Sequence, residues 1–253
     1  MTSHPPILEG AEPYRAAGDR RGALVLHGFT GCPQSMRPLA EAFAAAGYTV
    51  ELPRLPGHGT TVEDMSQYGW SDWTAAAEQA YADLASRTDS VVVAGLSMGG
   101  SLSLYLAARH PEIAGIVLVN PVVESDDFAP LAEAAKALLA AGEPFIQGVG
   151  NDVADPDVNE LAYSSMPNAC VLSLVDGLTA LKEKLTAIRQ PVLILHSTQD
   201  HVVPPSSVKL LTSSLAGPHE LVELERSFHV ATIDLDQDII NERAVAFVGQ
   251  HTR

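Results

Sequence analysis

Short, nearly unbroken apolar runs recur along the chain, each closed by turn residues: ALVLHG from Ala23, YTVELP from Tyr48, SVVVAG from Ser90, AGIVLVN from Ala114, PVLILHS from Pro191 and HELVELE from His219. Most are rich in valine, leucine and isoleucine and show little polar alternation, which predicts strands buried on both faces, as in a parallel sheet. Between them, apolar positions three and four apart predict helices over 35–46, 70–85, 98–109, 206–215 and 237–248. Gly47, Pro111 and Gly249 stand where the first, third and last of these should stop. Strand and helix alternating in this order predict an α/β fold, a mostly parallel central sheet flanked by helices.

The alternation stops after Asn120. From 121 to 189 no strand is expected; instead there is an alanine-rich helical stretch (131–141), a glycine and aspartate loop (148–157) and a second helical stretch (171–188). About seventy residues is too long for an ordinary connection, so 122–187 is expected to be a lid or cap inserted into a core made of 1–121 and 188–253. A single core domain suits a chain of this size.

Hydrophobic residues make up 46% of the chain, yet none of the apolar runs approaches the roughly 18 residues of a membrane span, so no stable membrane insertion is expected. The opening stretch MTSHPPILEGAEPYRAAGDRRG lacks the apolar middle of a secretory signal, and the expected location is the cytoplasm. Cys32 and Cys170, far apart and without metal-type spacing, fit a reducing compartment. Fifteen lysines and arginines against 31 acidic residues leave a net charge of −16, which disfavours nucleic acid and strongly anionic substrates. Neutral or weakly charged small molecules fit better.

One strand ends in GLSMG, Gly95 to Gly99, and a helical pattern follows at once. Taken alone, G-x-S-x-G is met more often as a helix cap with packing glycines; the strand before it and the helix after it mark a nucleophile turn. Such a turn lifts the Ser97 hydroxyl to the carboxyl edge of the sheet, above a helix N-terminus. A serine hydroxyl needs a histidine to take its proton, and the histidine needs a carboxylate to fix its tautomer. In this architecture the chain order is serine, acid, histidine. Asp200, in TQDHVVPP after one strand, and His229, in RSFHVAT after another, meet that order at the same sheet edge. Other acids are Asp126 and Asp127, which begin the insertion, and Asp234 and Asp236, read as caps of the last helix. His196 and His201 beside Asp200 lack further ligands at metal spacing, His58 in LPGHG reads as a loop brace, and His110 reads as a helix end. An oxyanion needs two amides; Met98, after the serine, and Phe29, in HGFTG at 27–31, are the candidates. Taken alone, HGFTG has a mere strand-to-helix turn as its lesser alternative.

With HGFTG, LPGHG, GLSMGG, TQDHVVPP and FHVAT in order, the sequence resembles the α/β-hydrolase family of serine esterases from Leu24 to Phe247, and within it the bacterial carboxylesterases and monoacylglycerol lipases. The resemblance implies an α/β-hydrolase fold with a small lid, ester hydrolysis through an acyl-enzyme without cofactor or metal, and a small-molecule ester or monoacylglycerol as partner. It puts nucleophile, acid and base on Ser97, Asp200 and His229, and the oxyanion amides on Phe29 and Met98. NELAYSSMP, at 159–167, also resembles those lipases and makes Glu160 a candidate for a polar glycerol head. Leu138, Leu139, Phe145, Ile146 and Val149 could line an acyl slot or form the core of the lid. Acyl transfer, haloperoxidase-like chemistry or a non-catalytic binding role remain open on the same scaffold. Dehalogenation would need an aspartate at 97.

Overall fold

All six apolar runs are strands. The structure, a computed structural model, describes residues 5–252, so the first residues of the stretch read for a secretory signal lie outside it. In chain order the strands are Tyr14–Ala16 (β1), Arg21–Leu26 (β2), Thr49–Leu52 (β3), Ser90–Leu96 (β4), Gly115–Val119 (β5), Phe145–Gln147 (β6), Ser165–Pro167 (β7), Val192–Ser197 (β8) and His219–Leu224 (β9). The helices are Arg37–Ala45 (α1), Val62–Met65 (α2), Trp70–Ala85 (α3), Met98–Arg109 (α4), Ala129–Ala140 (α5), Asn168–Lys182 (α6), Ser206–Ser214 (α7) and Gln237–His251 (α8).

Seven strands make one sheet in the order β1-β3-β2-β4-β5-β8-β9, parallel throughout except for β1 against β3. Alternate residues of each central strand feed two cores. Val91, Val93, Ile116, Leu118 and Ile194 pack under α3, α4 and α7, while Val92, Ala94, Val117, Leu193 and Leu195 pack under α1 and α8. Because both faces are covered, the central strands carry apolar residues on both sides along most of their length, the pattern from which a parallel sheet was expected. β9 is one of the two edge strands, and its Glu220 and Glu223 are exposed, so its run alternates more than the others.

One strand was not anticipated and two expectations need correction. β1 is a three-residue edge strand, too short to leave a periodicity. The stretch 121–189 does contain strands: β6 and β7 form an antiparallel pair of three registered positions each, Ile146 opposite Met166 at its centre. The last helix does not stop at Gly249 but continues to His251; that glycine faces open space, and an exposed glycine costs a helix about 1 kcal/mol, too little to end one packed along its length. Among the described residues, no helix is long and apolar enough to cross a membrane.

Candidate active site

Ser97 sits at the junction of β4 and α4 with φ 55° and ψ −119°, a strained conformation for a residue with a side chain. The turn is pinned on both sides: the Ser97 amide donates to the Val119 carbonyl at 3.0 Å, and its carbonyl accepts from Gly100 at 2.9 Å. Two glycines allow this crowding. A Cβ on Gly95 would lie 2.1 Å from the Gly99 carbonyl, and one on Gly99 would lie 2.1 Å from the Leu26 carbonyl oxygen. The sharp turn thus leaves the serine half-exposed between buried neighbours and aims it into a mainly apolar cavity.

Asp200 leaves the end of β8 and His229 follows β9. His229 Nδ1 donates to Asp200 Oδ2 at 2.8 Å, and the Asp200 Oδ1 accepts the Val202 and Val203 amides at 2.8 Å each. Both side chains are nearly sealed, 8% and 2% exposed. Burial pushes the Asp200 carboxyl upward, but the hydrogen bond and charge of His229 and the two amides outweigh it, and its pKa lies below the ordinary value. With Nδ1 engaged as donor, the other ring nitrogen is left as the acceptor a base requires. Ser97 and His229 line the same cavity.

Opposite them runs the loop after β2. A Cβ on Gly28 would lie 3.4 Å from the Ser97 Cβ, so this loop passes directly beside the serine. Among the described residues, neither the Phe29 nor the Met98 amide donates a hydrogen bond within the protein. Both residues line the cavity, and Met98 is the first residue of α4, whose leading amides have no helical partner. The loop is held by His27, whose Nδ1 donates to the Gly28 carbonyl at 3.0 Å while Nε2 accepts the Leu55 amide at 3.1 Å. Burial drives the His27 pKa down to about 4 and that of His58 well below its ordinary value, so the pair stays neutral beneath the site. His58 braces the loop as expected, packing edge-on against His27, Phe29 and Trp73.

The remaining candidates divide. Glu160 is not on a helix; it lines the cavity with its carboxylate folded over Gly31, where a Cβ would come within 2.5 Å of Oε1. Burial raises its pKa to about 7, against the opposing influence of His229 and Ser35. Ile146 lies outside the cavity wall and packs on Ala135, Met166 and Val171. Of the proposed slot residues Val149 reaches the wall, while Leu138, Leu139 and Phe145 do not; Leu131, Leu174 and Leu178 take their places. α5 and α6 turn these positions inward. Asp236 occupies the N-cap position of α8 but caps nothing there, because its carboxylate takes the Arg226 and Ser227 amides instead. Asn120, which the sequence did not single out, has φ 42° and donates to the His229 carbonyl at 2.8 Å and to Ser197 Oγ at 2.9 Å. The signal for it was an asparagine, tolerant of positive φ, directly after a strand. Among the described residues, no group of three or more histidine, cysteine, aspartate or glutamate side chains is placed to hold a metal ion.

Sheet order, elbow and acid–histidine pair define an α/β-hydrolase. More narrowly, the chain belongs to the family described as serine aminopeptidase, S33, whose profile matches residues 19–236. It is 45% identical over 254 residues to the thermostable monoacylglycerol lipase of Bacillus sp. (strain H-257), covering 99% of each. It is 25% identical to the carboxylesterase of Bacillus subtilis (strain 168), covering 94% of this chain and 96% of that one. A solved structure from the work on LipS and LipT, two metagenome-derived lipolytic enzymes, superposes with a TM-score of 0.92 at 42% identity, covering 97% of this chain and all of the other. The monoglyceride lipase of Saccharomyces cerevisiae shares the fold, with a TM-score of 0.78 at 16% identity over 95% of this chain and 92% of the other.

Proposed function

We propose that this carboxylic ester hydrolase cleaves monoacylglycerols and short-to-medium-chain acyl esters through an acyl-enzyme on Ser97. Ester hydrolysis as such follows from the family and from the full-length 45% identity to a monoacylglycerol lipase. In the proposed sequence, His229 takes the Ser97 proton as the hydroxyl attacks the acyl carbon, and the amides of Phe29 and Met98 receive the oxyanion. The alcohol leaves with the proton from His229, and water, activated by the same imidazole, frees the acid. Asp200 keeps the ring in the right tautomer throughout. No metal or cofactor enters this sequence.

The observation that carries the reading is the common cavity: the strained Ser97 and the Asp200-held His229 open into one mainly apolar space that Glu160 also lines. An acyl chain would lie along Leu131, Leu174 and Leu178, with the glycerol hydroxyls towards Glu160. Residues 122–187 act as the lid in this reading, since α5 and α6 supply that apolar wall. The two unbridged, buried cysteines fit a cytoplasmic setting.

Purified protein should hydrolyse both p-nitrophenyl butyrate and monoacylglycerols. Glu160→Gln should raise KM for monoacylglycerols about tenfold while leaving p-nitrophenyl butyrate within about twofold, since a simple aryl ester offers no glycerol hydroxyls. Equal effects on both substrates would remove the glycerol assignment.

A further inference from the structure

The loop that joins β6 to β7 touches the base through one carboxylate. Asp152, only 13% exposed, accepts the His229 backbone amide on Oδ2 at 3.0 Å and meets His201 Nδ1 through Oδ1 at 2.9 Å. The His201 amide also donates to Oδ2, at 3.3 Å, and the Asp152 carbonyl accepts the Val230 amide at 3.1 Å. Just beyond, the amides of Ala154 and Asp155 donate to the buried Asp234 carboxylate at 2.9 and 3.0 Å, which also takes the Phe228 amide at 2.8 Å. Two carboxylates, one from each partner, therefore stitch residues 152–155 to the His229 loop.

His229 is consequently held at three points by three separate segments: its amide by Asp152, its carbonyl by Asn120 and its ring by Asp200. Asp200 restrains ring rotation and tautomer but leaves the backbone free to shift. A nearly buried carboxylate is costly unless well supplied with donors, and Asp152 has three, the amides of His229 and His201 and the His201 Nδ1. The His201 side chain adds little to this, because its imidazole is 59% exposed; the two backbone amides, of His229 and His201, do not depend on it.

We propose that Asp152 is a positioning residue for His229, fixing the backbone of the base from the inserted segment, so that a competent base requires that segment to be seated. This rests on the reading of Ser97, Asp200 and His229 as the catalytic groups. Displacement of a catalytic group by about 1 Å costs on the order of 100-fold in rate; Asp152 also lines the cavity, but its carboxylate is turned to the His229 and His201 donors.

The test compares kcat and KM for p-nitrophenyl butyrate, with thermal midpoints, in Asp152→Ala, Asp152→Asn and His201→Ala. The expected result is a kcat about 10- to 100-fold lower in Asp152→Ala with KM within about twofold, and recovery to within about threefold of the parent in Asp152→Asn, which keeps an acceptor for the His229 amide. His201→Ala should stay within about twofold. A parent-like kcat in Asp152→Ala, an Asn variant as impaired as the Ala variant, or a tenfold loss in His201→Ala would each overturn the proposal. Should Asp152→Ala not fold, Asp152→Glu replaces it: the acceptor moves by about one methylene, kcat must still fall about tenfold, and a parent-like value overturns the proposal. Ser97→Ala and His229→Ala are assayed alongside; full activity in those sinks the catalytic reading itself, whereas inactivity there with a parent-like Asp152→Ala removes the role of Asp152 alone.

Discussion

Asp200 and His229 form a sealed pair in which one carboxylate oxygen takes the ring Nδ1 at 2.8 Å and the other takes two backbone amides. The amides fix the carboxylate, so the carboxylate can fix the ring. Asp200→Asn keeps the shape but offers an N–H where an acceptor is required, and the imidazole turns to the wrong tautomer. Steady-state kinetics on p-nitrophenyl butyrate should show kcat lower by about 10³ to 10⁴, with KM within about threefold. Because the folded-state pKa of Asp200 lies below its unfolded value, the pair stabilises the fold above that unfolded value, and this contribution fades as pH falls through the folded one.

Glu160 has the opposite linkage. Its pKa is raised from 4.5 to about 7 by burial, so the fold tolerates the protonated carboxyl and loses stability, relative to the unfolded chain, as pH rises from 4.5 through about 7. Glu160→Gln removes that loss. Its thermal midpoint should exceed the parent's by about 2–4 °C at about pH 8.5, on the order of 1 kcal/mol for a carboxylate that retains some water, and by less at about pH 5. An equal shift at both pH values would contradict the raised pKa.

Gly99 has no room for a methyl group, since the nearest atom to its Cβ would be backbone, 2.1 Å away at the Leu26 carbonyl oxygen. Gly99→Ala should lower stability by roughly 3 kcal/mol or more in urea unfolding and lower activity with it, because relief requires β2 and α4 to part beneath the serine. Gly249→Ala, which meets open space on α8, should leave stability unchanged or slightly raised.

The proposed acyl slot can be shortened from α6. Leu174 lines the cavity and is partly buried, so Leu174→Phe should reduce kcat/KM for dodecanoyl esters about tenfold while leaving butyryl esters within about twofold. Equal loss on both chain lengths would mean the chain lies elsewhere.

The core of the fold was legible because the sheet is covered on both faces: Val91 to Ala94 must all be apolar, and such a run reads as a buried strand without any knowledge of its neighbours. The placement of Ser97, Asp200 and His229 at one edge was legible because each follows such a strand and the architecture fixes which edge that is. The inserted segment resisted for the converse reason. β6 and β7 are three residues each and pair across the loop that holds Asp152, so no periodicity announces them. Leu138 and Leu139, read as acyl slot or lid core, do not line the cavity, because an alanine-rich helix does not declare which face turns inward; packing of α5 on α6 puts Leu131 in the cavity wall instead. Asp152 and Asn120 were invisible as partners of His229, and Asp234 as partner of the neighbouring Phe228 amide, since contacts to backbone amides and carbonyls leave almost no mark on a sequence.

The most direct measurement is covalent capture of the nucleophile. The protein is incubated with a fluorophosphonate, and the modified residue is identified by peptide mass spectrometry in the parent, Ser97→Ala and His229→Ala. A single adduct on the peptide carrying Ser97, absent in Ser97→Ala and formed at least about 100-fold more slowly in His229→Ala, is the predicted result. Labelling of another serine, or an unchanged labelling rate without His229, would contradict it.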